Sequence, residues 1–409
     1  MHRRQLLLAT GAALALPALG APAPKARVVI VGAGMAGVTL AKFLRLWDRG
    51  IEVTLVDRHA SYTSNIMSSL VLTGQRTLTQ LTYSYTALQR RGVRFVQGEA
   101  VAVDPVAPSV TLASGQVLQA DRVVLAAGIA FEPPPGYDEQ RMPHAWQAGP
   151  QTTLLAQQLA ALPAGGTVAL TIPPTPYRCP PGPYERACLL ADWLRVNKPG
   201  ARLLVLDANP DIVTERDNFS AAFEGLYAGI VEYRNNVQIQ SVDAASMTLF
   251  TDNGPVSADV VNLIPRQRCG RIVTDAGLAT ATGGRFAPVD VLGYASTLAP
   301  KVHVIGDSSA TTQPKAGHIA NQEAKVCADA IVRAVNGLPP ETAPVTNSAC
   351  FSTITMSQAS WLTAVFQYDA ASKTMVSVPD ASGASNGWSA GHFQDMNTWF
   401  NALMADSFG

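Results

Sequence analysis

The chain has no excess of charge of either sign. Its 30 lysines and arginines balance 30 aspartates and glutamates, and only 15% of the 409 residues are charged. A net charge of zero argues against nucleic acid or a broadly acidic surface as the partner. Internal repeats and low-complexity segments are also lacking. With 47% hydrophobic residues, the chain has ample material for two or three folded domains.

Long apolar runs are confined to the first residues. Arg3 and Arg4 precede an apolar stretch over residues 6–19, and a small, proline-rich segment follows at 20–24. This order is typical of an export signal, and paired arginines favour the twin-arginine route, which carries folded proteins. An ordinary secretory signal or an uncleaved anchor is the alternative. We therefore predict a signal peptide over residues 1–24, a periplasmic location and a soluble mature protein, since no later segment has about eighteen uninterrupted apolar residues.

Cysteine is scarce, and its spacing excludes two kinds of site. The five cysteines are Cys179, Cys188, Cys269, Cys327 and Cys350. Their spacings fit no zinc site and there is no C-x-x-C-H motif, so we predict no metal site, and any haem has to sit on another chain. In an exported protein a disulfide can persist, but five is an odd number and at least one thiol stays free.

A glycine-rich loop near the N-terminus indicates a dinucleotide-binding fold. Residues 27–31 are a β-branched run typical of a buried parallel strand, and GAGMAG follows at 32–37. Helical spacing then covers residues 38–47, and a second strand over 51–56 leads to Asp57. The glycines permit the turn and the approach of phosphate, and the carboxylate suits ribose hydroxyls.

A second glycine loop is missing where a two-dinucleotide flavoenzyme would carry its nicotinamide site. The strand-like residues 167–170 are followed by TIPPTPYRCPPGPYERAC at 171–188. Five prolines lie between Pro173 and Pro181, each without an N–H, and Cys179 stands among them. The pattern indicates that nicotinamide binding has been lost and a rigidly held sulfur gained.

Two further segments indicate that the dinucleotide is FAD. Residues 121–128 form a strand that ends in small residues, and the strand VHVI at 302–305 ends in Gly306 and Asp307. That Gly-Asp pair is similar to the flavoprotein motif whose aspartate binds the ribityl hydroxyls. A helix-prone segment follows at 315–327, and its N-terminus is expected to place partial positive charge by the flavin pyrimidine.

These motifs together resemble the flavoprotein subunit of flavocytochrome c sulfide dehydrogenase. The most specific part is RCPPGPYERA, supported by PKAGHIANQEAKV and the terminal WFNALMADSFG. The resemblance implies an α/β fold with two Rossmann-like domains, for FAD and pseudo-NAD, and a C-terminal α+β interface domain. The predicted limits are 25–140 and 269–345 for the FAD domain, 141–268 for the pseudo-NAD domain and 346–409 for the interface domain.

The resemblance also assigns chemistry to individual residues. It implies a disulfide over the flavin between Cys179 and Cys350, whereas spacing alone cannot choose among the ten possible pairings. Glu185 resembles the family's acid–base residue, although a carboxylate in the first turn of a helix is also favoured for structural reasons. Cys188 is a local rival partner for Cys179, but its apolar helical surroundings favour packing.

The predicted cofactor-binding residues follow the same motifs. They are Gly32, Gly34, Ala36, Gly37, Asp57, Arg58, Ser64, Val101, Ala127, Gly128, Gly306, Asp307, Lys315, Ala316 and Gly317. Many members of the family bind FAD covalently through a cysteine where this chain has Ser64, so we predict non-covalent FAD. His318 is expected either near the flavin or in the core, and the HAWQAG segment at 144–149 is expected to be a surface linker with no role for His144.

The predicted function is an exported, FAD-dependent sulfide dehydrogenase. The resemblance implies that it forms a heterodimer with a c-type cytochrome subunit that carries the haem. One alternative is sulfide:quinone oxidoreductase, which works on the membrane; the terminal segment disfavours it, because it contains Asp395 and Asp406 and lacks a basic face. The other is a cytochrome-binding flavoprotein with little turnover.

Overall fold

The computed structural model describes residues 23–409. Residues 1–22, which hold most of the predicted signal peptide, lie outside the described residues. Among the helices that are described, none is long and apolar enough to span a membrane. The α/β fold expected from the sequence is confirmed, whereas the domain limits at residues 140, 268 and 345 stay predictions.

The first part of the chain contributes four of the eight strands of the large sheet. Its strands are β1 (Ala26–Val31), β2 (Ile51–Asp57), β3 (Ser61–Thr63), β4 (Thr82–Ser84), β5 (Arg94–Gln97), β6 (Ala100–Asp104), β7 (Ser109–Leu112), β8 (Val117–Gln119), β9 (Arg122–Leu125) and β10 (Ile129–Glu132), and its helices are α1 (Met35–Trp47), α2 (Ser69–Leu72) and α3 (Thr86–Arg90). The four strands of the large sheet are β1, β2, β5 and β9. The central strand β1 pairs in parallel with β2 and β9. Its β-branched residues are buried, as expected for a strand covered on both faces.

The middle of the chain forms a smaller parallel sheet and a separate antiparallel sheet. Its helices are α4 (Pro150–Ala161), α5 (Gly182–Asn197) and α6 (Arg216–Ala221), and its strands are β11 (Thr167–Ile172), β12 (Arg202–Asp207), β13 (Val231–Arg234), β14 (Ile239–Asp243), β15 (Thr248–Thr251), β16 (Gly254–Ser257) and β17 (Val260–Leu263). Strands β13, β12, β11 and β17 lie side by side in that order, and β14 to β16 form an antiparallel sheet. The second Rossmann-like unit is therefore present although its glycine loop is not.

The chain then returns to complete the first sheet. The elements are β18 (Arg266–Cys269), α7 (Arg271–Asp275), α8 (Ala281–Gly284), β19 (Ala287–Asp290), β20 (Ala295–Ser296), β21 (Ala299–Val304), β22 (Ser309–Ala310) and α9 (Gly317–Val335). The eight strands lie in the order β22, β19, β20, β21, β9, β1, β2, β5. Because β21, β9 and β1 are adjacent and parallel, their carboxyl ends meet at one edge of the sheet. The three motifs assigned to FAD follow these ends.

The last segment covers that edge. It comprises β23 (Val345–Thr355), β24 (Gln358–Asp369), β25 (Thr374–Ser377), β26 (Gly383–Ala384) and α10 (Ala390–Phe408). The strands form an antiparallel sheet, and β23 packs against both α5 and α9. The apolar side chains of α10 are buried in the core of the FAD domain; they are Met396, Phe400, Leu403, Met404 and Phe408. Strand β23, which carries Cys350, thereby contacts a helix from each of the two Rossmann-like units.

Candidate active site

The glycine loop is shaped by contact with the end of β9. Gly32 has a φ of +100°, and a Cβ built there would lie 2.3 Å from the carbonyl oxygen of Ala126. A Cβ on Gly37 would lie 1.8 Å from the carbonyl oxygen of Gly32. Asp57 accepts a hydrogen bond from the N–H of Ala33 at 2.7 Å. Only glycine allows this approach, so the loop is held open in the form that suits a pyrophosphate.

A cavity runs from this loop to the proline-rich segment. Seven of the residues predicted to bind the cofactor line it; they are Gly34, Ala36, Gly128, Gly306, Asp307, Ala316 and Gly317. His318, Cys179, Cys350 and Glu185 line it as well.

The other predicted cofactor-binding residues lie around the cavity rather than in it. Ser64 is fully buried and donates a hydrogen bond to the carbonyl of Ile66 at 3.1 Å. The Lys315 ammonium donates to the carbonyl of Ser309 at 2.7 Å. Gly32, Gly37, Asp57 and Ala127 form or support the loop walls. Arg58 and Val101 are exposed, and Val101 belongs to the small sheet of β6 to β8.

Cys179 is held in an unusual backbone conformation. Its φ is +59°, in the left-handed region that a residue with a Cβ adopts only at a cost. Two hydrogen bonds hold it there: its N–H donates to the carbonyl of Lys315 at 2.7 Å, and its carbonyl accepts from Gly182 at 2.9 Å. Such a strained conformation persists only where surrounding contacts hold the backbone in place, and it is common at functional sites. The backbone that carries the Cys179 sulfur is therefore anchored at both its N–H and its carbonyl.

Gly182 leaves room for the sulfur. A Cβ built on Gly182 would lie 2.9 Å from Cys179 Sγ and 2.8 Å from the Cη2 atom of Trp146. The sulfur and the edge of the indole ring therefore border the same small space at the start of α5. Any side chain at position 182 would displace one of them.

Cys350 enters the cavity from β23, and its sulfur lies 3.9 Å from the hydroxyl of Ser348. Burial raises the pKa of Cys350 to about 12 and raises that of Cys179 further. All five cysteines are unbridged in the structure, so the Cys179–Cys350 disulfide stays a prediction. The remaining three, Cys188, Cys269 and Cys327, are fully buried in hydrophobic clusters and do not line the cavity.

Glu185 lies in the first turn of α5 and also borders the cavity. Its Oε1 accepts a hydrogen bond from the Thr353 hydroxyl at 2.7 Å. Burial raises the pKa of Glu185 to about 7, and the nearby Glu215 carboxylate adds to the rise. Glu215, which the sequence analysis did not single out, accepts hydrogen bonds from Ser352 and Ser360 on the hairpin that carries Cys350. A carboxyl group poised near neutrality suits acid–base work.

The HAWQAG segment is not a surface linker, and this expectation is wrong. His144 and Trp146 are about 5% and 6% exposed, and Trp146 lines the cavity. The backbone carbonyls of His144 and Ala145 accept hydrogen bonds from Arg186, and that of Trp146 accepts from Arg178. Burial lowers the pKa of His144 to about 4, so the ring is neutral. The aperiodic sequence carries no signal of burial, because its backbone carbonyls are satisfied by Arg178 and Arg186, which are distant in sequence.

Asp207 in the second Rossmann-like unit holds the position that Asp57 holds in the first. Its carboxylate, however, already accepts hydrogen bonds from other protein groups. Asp207 ends β12, is fully buried, and accepts hydrogen bonds from the hydroxyls of Tyr184 and Tyr233 at 2.6 and 2.9 Å. The N–H of Asn209 donates to its other oxygen at 2.9 Å. Protein groups therefore take the place that ribose hydroxyls would need.

Sequence models of three protein families match the chain. One describes the central part of the sulfide dehydrogenase [flavocytochrome c] flavoprotein chain and matches residues 152–265; a second describes the flavin-binding part of flavocytochrome c sulphide dehydrogenase and matches 342–408. The third, pyridine nucleotide-disulphide oxidoreductase, matches 26–156. The chain is similar to the flavoproteins of flavocytochrome c sulfide dehydrogenase over residues 152–265 and 342–408. The match at residues 152–265 contains the proline segment with Cys179, and the match at 342–408 contains Cys350.

Solved structures share the fold. The sulfide:quinone oxidoreductase of Aquifex aeolicus has a TM-score of 0.77 at 17% identity, over 93% of this chain and 92% of that one. A NAD-dependent persulfide reductase from A. fulgidus has a TM-score of 0.60 at 15% identity, over 93% and 77%. At these identities the likeness shows the fold alone.

One curated relative matches in sequence over a shorter segment. It is ferroptosis suppressor protein 1 of Taeniopygia guttata, which is 34% identical over 104 residues, or 25% of this chain. The chain spans about a quarter of that relative's length, since the match covers 26% of it.

Proposed function

We propose that this protein is an FAD-dependent sulfide dehydrogenase that oxidises hydrosulfide at Cys179 and Cys350 and passes the electrons to a separate c-type cytochrome. One observation carries the proposal: Cys179, Cys350 and Glu185 line a single cavity with the FAD motifs, in a chain similar to sulfide dehydrogenase flavoproteins. The occupied carboxylate of Asp207 supports it further, because the second unit is not built to take a nicotinamide donor.

The residues of the cavity fit FAD. The open glycine loop suits the pyrophosphate, Asp57 suits the adenosine ribose and Asp307 suits the ribityl chain. The N-terminus of the nineteen-residue helix α9 faces the cavity through Gly317 and His318, which favours negative charge at that point. FAD bound there supplies an acceptor that takes two electrons together and releases them singly.

The cysteines perform the first step. In the proposed disulfide, hydrosulfide attacks one sulfur, a new sulfur–sulfur bond forms, and the other cysteine leaves as a thiolate. The product is a protonated persulfide. Its outer sulfur becomes an anion only when the proton leaves. Glu185, with a pKa of about 7, accepts that proton. Because the backbone of Cys179 is already fixed, little reorganisation accompanies the opening of the disulfide.

The location, the partner and the mode of FAD binding belong to the same proposal. The paired arginines at residues 3 and 4 support twin-arginine export to the periplasm, as a cofactor-loaded protein requires. A heterodimer with a c-type cytochrome is supported by the family's name and by the absence of a haem-attachment motif from the sequence. Ser64 supports non-covalent FAD, since its hydroxyl cannot form a thioether.

A sulfide:quinone oxidoreductase is the second candidate, favoured by the structural likeness to the Aquifex enzyme. Such an enzyme meets its quinone at a membrane, for which an exposed apolar helix is suited. Here Met396, Phe400 and Phe408 of α10 are buried against the FAD domain. The helix therefore has no apolar face free for lipid, and we favour the cytochrome as acceptor.

The test is a visible spectrum recorded without oxygen. Stoichiometric sulfide should bleach the flavin rapidly, and added c-type cytochrome should then be reduced while a short-chain quinone reacts slowly. Absence of bleaching would support a low-turnover, cytochrome-binding flavoprotein. Rapid reoxidation by the quinone and not by the cytochrome would favour the second candidate.

A further inference from the structure

We propose that Phe408, the second-last residue of the chain, slows the release of FAD by holding the ring of Tyr62 against the glycine loop. Phe408 does not line the cavity, so it acts on the cofactor through Tyr62, as a positioning residue. The family model that matches residues 342–408 is described as flavin-binding and names no residue. The inference rests on the proposed non-covalent FAD and does not depend on the oxidation of sulfide.

Tyr62 forms part of the cavity wall beside the glycine loop. A Cβ built on Gly34, the second glycine of the loop, would lie 3.9 Å from the Cε2 atom of the Tyr62 ring. Tyr62 lies on β3, which pairs with β4 in a sheet of two three-residue strands. A two-stranded sheet is at best marginally stable by itself. The ring therefore needs support from outside this small sheet to stay beside the loop.

Phe408 supplies that support from the end of α10. Its ring stacks on the ring of Tyr62, with centres 5.1 Å apart and planes 18° from parallel. It also stacks on Tyr83, with centres 5.2 Å apart and planes 29° from parallel. Tyr62 and Tyr83 are paired across β3 and β4, so Phe408 contacts both strands of the small sheet. Both separations lie in the range of favourable aromatic pairs.

The end of α10 is itself fixed to the two helices that begin at the cavity. The hydroxyl of Ser407 accepts hydrogen bonds from Thr39 on α1 at 3.1 Å and from Asn321 on α9 at 3.0 Å. All three residues are buried. The first residues of α1 and of α9 line the cavity. The position of the Phe408 ring is therefore set by the same helices that border the cofactor.

The coupling between the chain end and the cofactor has to act in both directions. If the docked ring of Phe408 makes FAD bind more tightly, bound FAD stabilises the docked ring by the same free energy. None of residues 405–409 lines the cavity. A response of these residues to the removal of FAD thus reports the coupling rather than direct contact.

The test measures how fast FAD leaves the holoprotein. The holoprotein is diluted into potassium bromide at a concentration that releases FAD while the far-ultraviolet circular dichroism stays unchanged, and free FAD is followed by its fluorescence. Release should be about tenfold faster in Phe408→Ala, because one aromatic pair contributes up to about that factor. Phe408→Leu, which keeps an apolar side chain and loses the ring, should give an intermediate rate.

Leu403→Ala is the matched control for a general loosening of the core. Leu403 lies on the same helix, is buried in the same hydrophobic cluster and does not line the cavity. The change removes no ring from the stack, so FAD release should stay close to that of the wild type. Equal release rates in Phe408→Ala and Leu403→Ala would overturn the proposal, as would a Phe408→Ala rate equal to that of the wild type.

A second measurement uses the wild type and holds even if Phe408→Ala does not fold. Hydrogen exchange is compared between the holoprotein and protein from which FAD has been removed. Removal should speed exchange of the backbone amides of residues 405–409 more than that of residues 156–161 at the end of α4, and Phe408→Leu should reduce the difference. Equal changes in the two segments would overturn the coupling. Because neither measurement uses sulfide, each decides the role of Phe408 whether or not sulfide is the substrate.

Discussion

Tyr184 donates its phenolic hydrogen to Asp207 over 2.6 Å, inside the second Rossmann-like unit. Tyr184 belongs to the first turn of α5, and Asp207 is the last residue of β12. A nucleotide ribose would have to displace this bond and the one from Tyr233. We therefore expect NADH and NADPH to leave the flavin oxidised. Stopped-flow mixing with millimolar NADH checks this, and bleaching within a second would contradict it.

The two cavity cysteines should be essential for flavin reduction by sulfide. Cys179→Ser or Cys350→Ser should abolish bleaching while FAD stays bound, because either change removes the proposed disulfide. Cys188→Ala, Cys269→Ala and Cys327→Ala are the matched controls, since these residues do not line the cavity and the variants should retain turnover. Wild-type turnover in Cys179→Ser, or a mapped Cys179–Cys188 bond, would refute the mechanism.

FAD should be released by acid. The position that resembles the family's linking cysteine is Ser64, whose hydroxyl is buried and donates to Ile66. Precipitation of pure protein with acid should leave yellow FAD in the supernatant. Flavin that stays in the pellet, and maps to a peptide within residues 58–65, would show a covalent link.

Gly182→Ala should slow sulfide oxidation without loss of FAD. The new methyl group has to displace either the Cys179 sulfur or the Trp146 ring, which lie 2.9 and 2.8 Å from its position. Displacements of about 1 Å at a reacting atom can cost roughly a hundredfold in rate. Gly225→Ala, where a Cβ meets nothing within 4 Å, is the control. Equal rates of flavin reduction in the two variants would count against the tight fit.

Glu185 should make the protein less stable as the pH rises. Its pKa is about 7 in the folded protein against 4.5 ordinarily, so its contribution is fully present below pH 4.5 and is lost as the pH passes 7. Relative to Glu185→Gln, the wild type should lose up to about 3 kcal/mol of unfolding free energy between about pH 4.5 and 8. Thermal unfolding over that range measures the difference, with exposed Glu224→Gln as control. If the difference in unfolding free energy between the wild type and Glu185→Gln does not change with pH, the Glu185 carboxyl is not desolvated.

The sequence predicted the FAD half of the site because its motifs are local. The glycine loop, Asp57 and the Gly306-Asp307 pair each follow a strand, and parallel neighbours bring their carboxyl ends together. The proline segment likewise predicted a missing nicotinamide loop. Tyr233 was not predicted, because its bond to Asp207 joins positions that only the folded sheet makes neighbours.

Trp146 was missed for a different reason. Its segment has neither helical nor strand periodicity, and such segments usually lie at the surface. Here the buried Arg186 satisfies the backbone carbonyls that would otherwise need water. The arginine lies next to Glu185 in the motif that the sequence analysis did single out, yet nothing in the motif shows which carbonyls it reaches.

The hydrogen bond from Cys179 to the Lys315 carbonyl couples the reactive sulfur to the segment that leads into α9. The sulfur belongs to the middle of the chain by sequence, but this bond ties the backbone of its residue to the FAD domain. Relative motion of the two Rossmann-like units should therefore leave the distance from sulfur to cofactor nearly constant. Reduction by sulfide should accordingly be insensitive to solvent viscosity, unlike in enzymes whose domains have to close before each turnover.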